Sequence, residues 1–309
     1  MPNNILRLSR PLAYCALLTA ALAGSAGADD LERLASVSHA PISEISGMTR
    51  SAQPDIYWVH NDSGDSARLF AIDLTGAPVF PSFLARHYSN TPWPGLSLLN
   101  AWNVDWEDIT RGDDGMLYVG EMGNNGNARR DLGVYVLPEP DPGAIYETRV
   151  PTFLPVRYPD QQQFPAARWE FDCEALFFAD GTLYFLTKHR RPGEITGWIP
   201  GTKLYRLDTR YTDRDNVLTL VSRRDDLLLA TAAELSPDGR HLAVATYLGV
   251  WLFARPERGD DWLSARSRFI ALPRDELETM EAITWQDDRT LLLANEERAL
   301  LRLTPSTLP

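Results

Sequence analysis

The chain has 309 residues, with 42 Asp and Glu against 30 Lys and Arg and a net charge of −12. An acidic chain without a basic run excludes nucleic acid and anionic membrane surfaces as its natural partners; its field suits cations better. With 44% hydrophobic residues and only two cysteines, it has the composition of a globular protein that builds its core without a disulfide framework.

The first 28 residues read as an export signal. Arg7 and Arg10 form the basic start, Pro11 to Ala23 is a short apolar core, and Ala26-Gly27-Ala28 supplies the small residues of a cleavage site before Asp29. The apolar run is too short to span a bilayer comfortably, and Tyr14 is too bulky for lipoprotein cleavage at Cys15. The mature chain is then a single domain over 29–309, periplasmic or secreted. Losing Arg7 and Arg10 leaves 28 basic and 42 acidic residues, a charge of −14. Cys173 is left without a partner, and its neighbours Asp172 and Glu174 disfavour a thiolate, so it reads as a small buried residue.

Along the mature chain a short apolar stretch is followed five times by an aliphatic-aromatic strand. The copies are Glu44-Ile-Ser-Gly-Met48 with Ile56–Val59, Asp105-Trp-Glu-Asp-Ile109 with Met116–Val119, and Asp172-Cys-Glu-Ala-Leu176 with Thr182–Phe185. Thr231-Ala-Ala-Glu-Leu235 with His241–Val244 and Thr279-Met-Glu-Ala-Ile283 with Leu291–Leu293 complete the set. Aligning Met48, Ile109, Leu176, Leu235 and Ile283 gives intervals of 61, 67, 59 and 48 residues. A period this long, holding several strands per unit, predicts an all-β closed β-propeller. Direct counting gives five blades; the length of each unit leaves six as the alternative. Turns such as Gly112-Asp-Asp-Gly115, Ala179-Asp-Gly181 and Ser236-Pro-Asp-Gly239 supply the positive φ of tight hairpins.

The fifth unit ends at Pro309 just after its third strand. Leu31–Ser38 lies outside the first unit, and it is expected to pair with the last blade and close the ring, removing two exposed sheet edges. Ala85–Asn103, Pro138–Gly143 and His189–Gly201 read as long surface loops. Helical periodicity is confined to a single turn near Arg274–Glu281.

Propeller geometry gathers inner-strand starts and the loops after second strands on one face. The first set is Glu44, Asp105, Glu107, Asp172, Glu174 and Glu281, four or two residues before the aligned aliphatics, where a period of two makes side chains share a face. The second set includes Asn61, Asp62, Glu121, Asn124, Lys188, His189, Tyr247 and Glu296. Converging carboxylates call for a cation, and oxygen-only donors suit Ca²⁺. The competing reading is that these acids cap strands, pair with arginines or hold water. Lys188, with Lys203 one of only two lysines, could stabilise an anion or act as a general acid, with Glu107 and Glu174 as candidate catalytic carboxylates. No G-x-S-x-G, P-loop, H-E-x-x-H, C-x-x-C or dinucleotide fingerprint occurs.

Glu44-Ile-Ser-Gly-Met48, His60-Asn-Asp-Ser-Gly64, Asp105-Trp-Glu-Asp-Ile109 and Val119-Gly-Glu-Met-Gly-Asn124 resemble a group of secreted bacterial β-propellers to which no activity is assigned. More distantly, the glutamates near strand starts are similar to those of calcium-dependent gluconolactonase/senescence-marker propellers. Asp172–Phe185 looks like a segment of propeller phytases, although their acidic motif before an apolar-Trp strand is missing. The resemblance implies a propeller with a channel cation. The resulting expectation is a monomeric, cation-binding interaction module for a small molecule, a glycan or a periplasmic protein. The alternative is a calcium-dependent hydrolase of a lactone or phosphoester.

Overall fold

The structure is a computed structural model that describes residues 29–309; the export signal read at 1–28 lies outside the described residues. Five antiparallel sheets follow one another along the chain and form a five-bladed propeller. Their innermost strands are Ile45–Arg50, Trp106–Arg111, Trp169–Ala179, Ala230–Leu235 and Met280–Trp285. Each of these packs beside the next, and the last packs beside the first, so the ring is closed.

Each blade is sandwiched between two others, and this explains why second strands are apolar at consecutive positions. In blade 1, Tyr57 and Trp58 point to opposite faces and both are buried; Leu117 and Tyr118 repeat the arrangement in blade 2. The core accordingly divides into five clusters, one per interface between blades. Trp58, Trp106 and Val119 fill the first, while Tyr118, Phe178 and Tyr205 fill the second. Burying each such side chain contributes on the order of 1.5–3 kcal/mol.

Closure follows the expected route. Strand Asp30–Ser36 pairs antiparallel with Ala299–Thr304 and supplies the outer strand of blade 5. An ion pair between Arg268 and Asp29 at 2.6 Å fastens its beginning. Two further links cross between blades: Leu96–Leu99 pairs parallel with Glu147–Arg149, and Thr152–Arg157 pairs parallel with Asn216–Val217.

Three expectations need correction. The stretch Ala85–Asn103 contains the outer strand of blade 1, Leu96–Leu99. His189–Gly201 is no loop: the second strand of blade 3 runs on to Arg191 and turns back through Glu194–Trp198, because its pairing with Trp169–Ala179 extends above the other blades. In blade 4 the register partner of Met48, Ile109, Leu176 and Ile283 is Ala233, paired with Val244, and Leu235 lies two residues too far along. The single helical turn is Arg274–Leu277.

Candidate functional site

Every inner strand carries an irregularity at the same height. Ser46, Glu174, Thr231 and Glu281 are each left without a partner opposite, and in blade 2 both Glu107 and Asp108 face Gly120 alone. A bulge leaves its extra residue unpaired and re-aims its side chain. All five blades therefore deliver one buried polar residue at this level: Ser46, Glu107, Glu174, Thr231 and Glu281.

Blades 2 and 3 build the acidic centre. Donor oxygens of Asp62, Asp105 and Glu107 lie within 4.8 Å of one another, and so do those of Glu107, Asp172 and Glu174. Glu107 belongs to both groups. Two ligands on opposite sides of a calcium ion, each at about 2.4 Å, are about 4.8 Å apart, so either group fits around one ion. Gly123 completes the cradle, since a Cβ there would collide with Glu107 Oε1 and Asp105 Cγ.

The surrounding framework holds these groups in place. Glu121 accepts the backbone N–H of Val104 (2.9 Å) and Asp105 (3.0 Å) and pairs with Arg129, so it orients the strand start. The N–H of Asn124 donates to Asp172 Oδ1 at 2.6 Å, while its side chain binds the backbone of Phe171, Ala128 and Arg129. Asn61 accepts the N–H of Ser43 and lies below the surface. Asn103 donates to the carbonyls of Asn61 and Asp62, which fixes the loop carrying Asp62. Glu121, Asn124 and Asn61, read from the sequence as facing a ligand, are thus scaffolding. Glu44 is exposed, and the blade 1 residue at the bulge is Ser46.

The extended hairpin of blade 3 brings the cations. Lys188 pairs with Glu174 and lies 5.1 Å from the centre of the Tyr247 ring. Tyr247 in turn donates its hydroxyl proton to Glu281. Arg190 contacts Asp172 at 2.6 Å and Glu174 at 3.1 Å. Sequence reasoning missed Arg190, although its place two residues after Lys188 on one strand puts both on the same face.

Charge in the funnel is unbalanced. Burial, followed by the fields of Glu174, Asp105, Asp62 and Asp172, pushes Glu107 well above the carboxylate range, although the Arg190 guanidinium also acts on it. Burial and the neighbouring Asp172 and Asp62 raise Asp105 to about 7. Burial, with Glu281 and Asp62, raises Glu296 to about 8. Burial also raises Glu174, against the pull of Lys188. The two histidines near this face are packed groups: burial lowers both His60 and His189 to about 4.

Asp108 closes the channel beneath. Its fully buried carboxylate reaches across the channel to accept the N–H of Leu176 (2.8 Å) and Ala233 (3.1 Å), and it also accepts its own neighbour Ile109. Inner strands have an unpaired edge facing the channel, and this one side chain caps one N–H of it in each of blades 3 and 4.

No family model matches the chain, and no curated protein matches it. Among solved structures, the aldose sugar dehydrogenase of Streptomyces coelicolor in its PQQ-bound form aligns at 11% identity, covering 91% of this chain and 99% of that one, with a TM-score of 0.45. A gluconolactonase of Xanthomonas campestris aligns at 13% identity over 90% of both chains, TM-score 0.43. The soluble aldose sugar dehydrogenase of Escherichia coli, in its apo-form, aligns at 10% identity over 90% of this chain and all of its own, TM-score 0.47. At this distance the fold assignment rests on the five sheets themselves. No helix among the described residues is long and apolar enough to cross a membrane.

Proposed function

We propose that this protein is an exported propeller that binds a divalent cation of the calcium class in its upper funnel, and that it acts as a ligand-binding module. The observation that carries the reading is Glu107: a buried carboxylate shared by two triads of oxygen donors, crowded by four other acids, with Arg190 acting on it through its field but in no ion pair with it among the described residues. Such a group is costly unless neutralised. Oxygen donors alone select a hard cation. Asp62, Asp105 and Glu107 are the ligands least committed elsewhere, because Asp172 and Glu174 are engaged by Arg190 and Lys188. A small-molecule, glycan or periplasmic protein ligand would then meet the cation at the mouth, between Glu296 and Tyr247.

The test is thermal unfolding with calcium, magnesium or chelator. Calcium should raise the melting temperature by mass action on the folded state, and Glu107→Gln should remove the rise. Identical melting curves in all conditions would end this reading.

A metal-dependent hydrolase of a lactone or phosphoester is the second reading, favoured by one contact. The ammonium of Lys188 donates to Glu174 and, at 3.5 Å, to the Tyr247 hydroxyl, so of its three N–H groups one is left for a ligand beside the acidic centre. That donor could stabilise developing negative charge. Calcium-dependent turnover of lactones or phosphomonoesters that disappears in Lys188→Ala would favour the enzyme; no turnover leaves the binding module.

A further inference from the structure

Below Asp108 the channel opens again. A cavity of about 430 Å³ lies at the opposite end of the propeller, its walls including Phe178, Leu235 and Trp285. That is within the size of ordinary small-molecule sites, roughly 300–1,000 Å³. Three polar residues line its inner part: Thr49, Glu234 and Thr284. With Thr110 they occupy one level of the ring, each a single residue beyond the register positions Met48, Ile109, Ala233 and Ile283.

The hydrogen-bond inventory at this level is one-sided. Thr49 donates its hydroxyl proton to Glu234 Oε2 and Thr110 donates to Oε1, both at 3.0 Å. Both threonine protons are thereby committed to Glu234. The Thr284 hydroxyl is buried at 1% exposure and has no hydrogen-bond partner among the described residues. What remains, once Glu234 gives up its proton to solvent, is a carboxylate flanked by hydroxyl oxygens, with Phe178, Leu235 and Trp285 set among mostly polar walls. Glu234 is the one carboxylate at this inner level, a poor trap for a divalent ion, while Asp113, Asp180 and Asp238 line the rest of a space that far exceeds a bare ion. A primary ammonium group presents three N–H donors and one positive charge, and it comes attached to hydrocarbon.

We infer that the lower cavity binds a ligand bearing a primary ammonium group, which donates to the Glu234 carboxylate and the Thr284 hydroxyl while its hydrocarbon part lies on Phe178, Leu235 and Trp285. At the rim, Arg111 and Arg255 are neutralised by Glu139 and Asp180, so they do not repel it. Arg50, also at the rim, acts on Glu234 through its field and is placed to meet a ligand carboxylate. Simple amines and free amino acids share the ammonium, and the experiment separates them.

The experiment is calorimetric titration of the mature protein with n-butylammonium chloride, L-norleucine and n-butanol, with and without calcium. Saturable one-to-one binding of both ammonium compounds, none of butanol, and indifference to calcium are expected. Norleucine binding more tightly than butylammonium assigns its carboxylate to Arg50. Glu234→Gln should weaken ammonium binding at least tenfold, and Thr284→Val several-fold. No saturable binding of either ammonium compound, butanol binding equally well, or full affinity in Glu234→Gln would overturn the assignment. Thr284→Val answers the question if the first variant does not fold. Because the funnel lies above Asp108, failure here leaves the cation reading standing, and loss of calcium binding leaves this one.

Discussion

Replacing Glu234 by Gln isolates one buried titration and gives it a sign. Burial raises the Glu234 carboxyl to about 8 in the folded protein, against the opposing hydrogen bonds from Thr49 and Thr110. Unfolded, it returns to about 4.5. Between those values the folded state holds a proton that the unfolded state has released, so stability is greatest at low pH and falls as pH rises. Each pH unit of difference is worth about 1.4 kcal/mol. Between pH 5 and 8 this one group should cost the wild type roughly 3 kcal/mol. Gln fits the same space and titrates nothing, so Glu234→Gln should gain roughly that amount over the wild type between the two pH values, other titrations cancelling in the comparison. Urea unfolding of both proteins at pH 5 and 8 measures it. A stability difference that does not change with pH, or one that moves toward the wild type at pH 8, would refute the reasoning.

Three further outcomes follow from the same geometry. Gly123→Ala places a methyl group against Glu107 and Asp105, and calorimetry should find calcium binding at least tenfold weaker. Arg190→Met leaves Asp172 and Glu174 buried without their guanidinium, which should lower unfolding free energy by about 3–5 kcal/mol in denaturant titrations; calcium should recover part of that loss. Deleting residues 29–36 removes the strand that completes blade 5, and the melting transition should broaden and drop steeply in temperature.

The repeat was legible because blades packed on both faces need apolar second strands, and those runs stand out in composition. Its register was legible in four units and not in the fourth. The step from the inner-strand aliphatic to its partner runs from Met48 to Val59, Ile109 to Val119 and Leu176 to Phe185, so turn length varies by a residue or two. Within that tolerance Leu235 and Ala233 both fit opposite Val244, and only the pairing chooses Ala233. This slip hid Glu234, which sits one residue beyond the true position. The bulges were invisible for a related reason: an extra residue is a property of two strands in register, not of either alone. Asp105, Glu107, Asp172 and Glu174 could be placed together from a period of two, whereas the exposed position of Glu44 depends on where the blade 1 bulge falls. Arg190 was hidden by reading its segment as a loop. Asp108, buried between two blades, looked like any other acid in an acidic motif.

The central claim is that the upper funnel holds a cation through Glu107. Equilibrium dialysis of chelator-stripped mature protein against labelled calcium tests it most directly. Saturable binding of at least one ion per chain is expected, lost in Glu107→Gln and retained in Glu234→Gln. Absence of saturable binding, or binding that Glu107→Gln leaves unchanged, would contradict it.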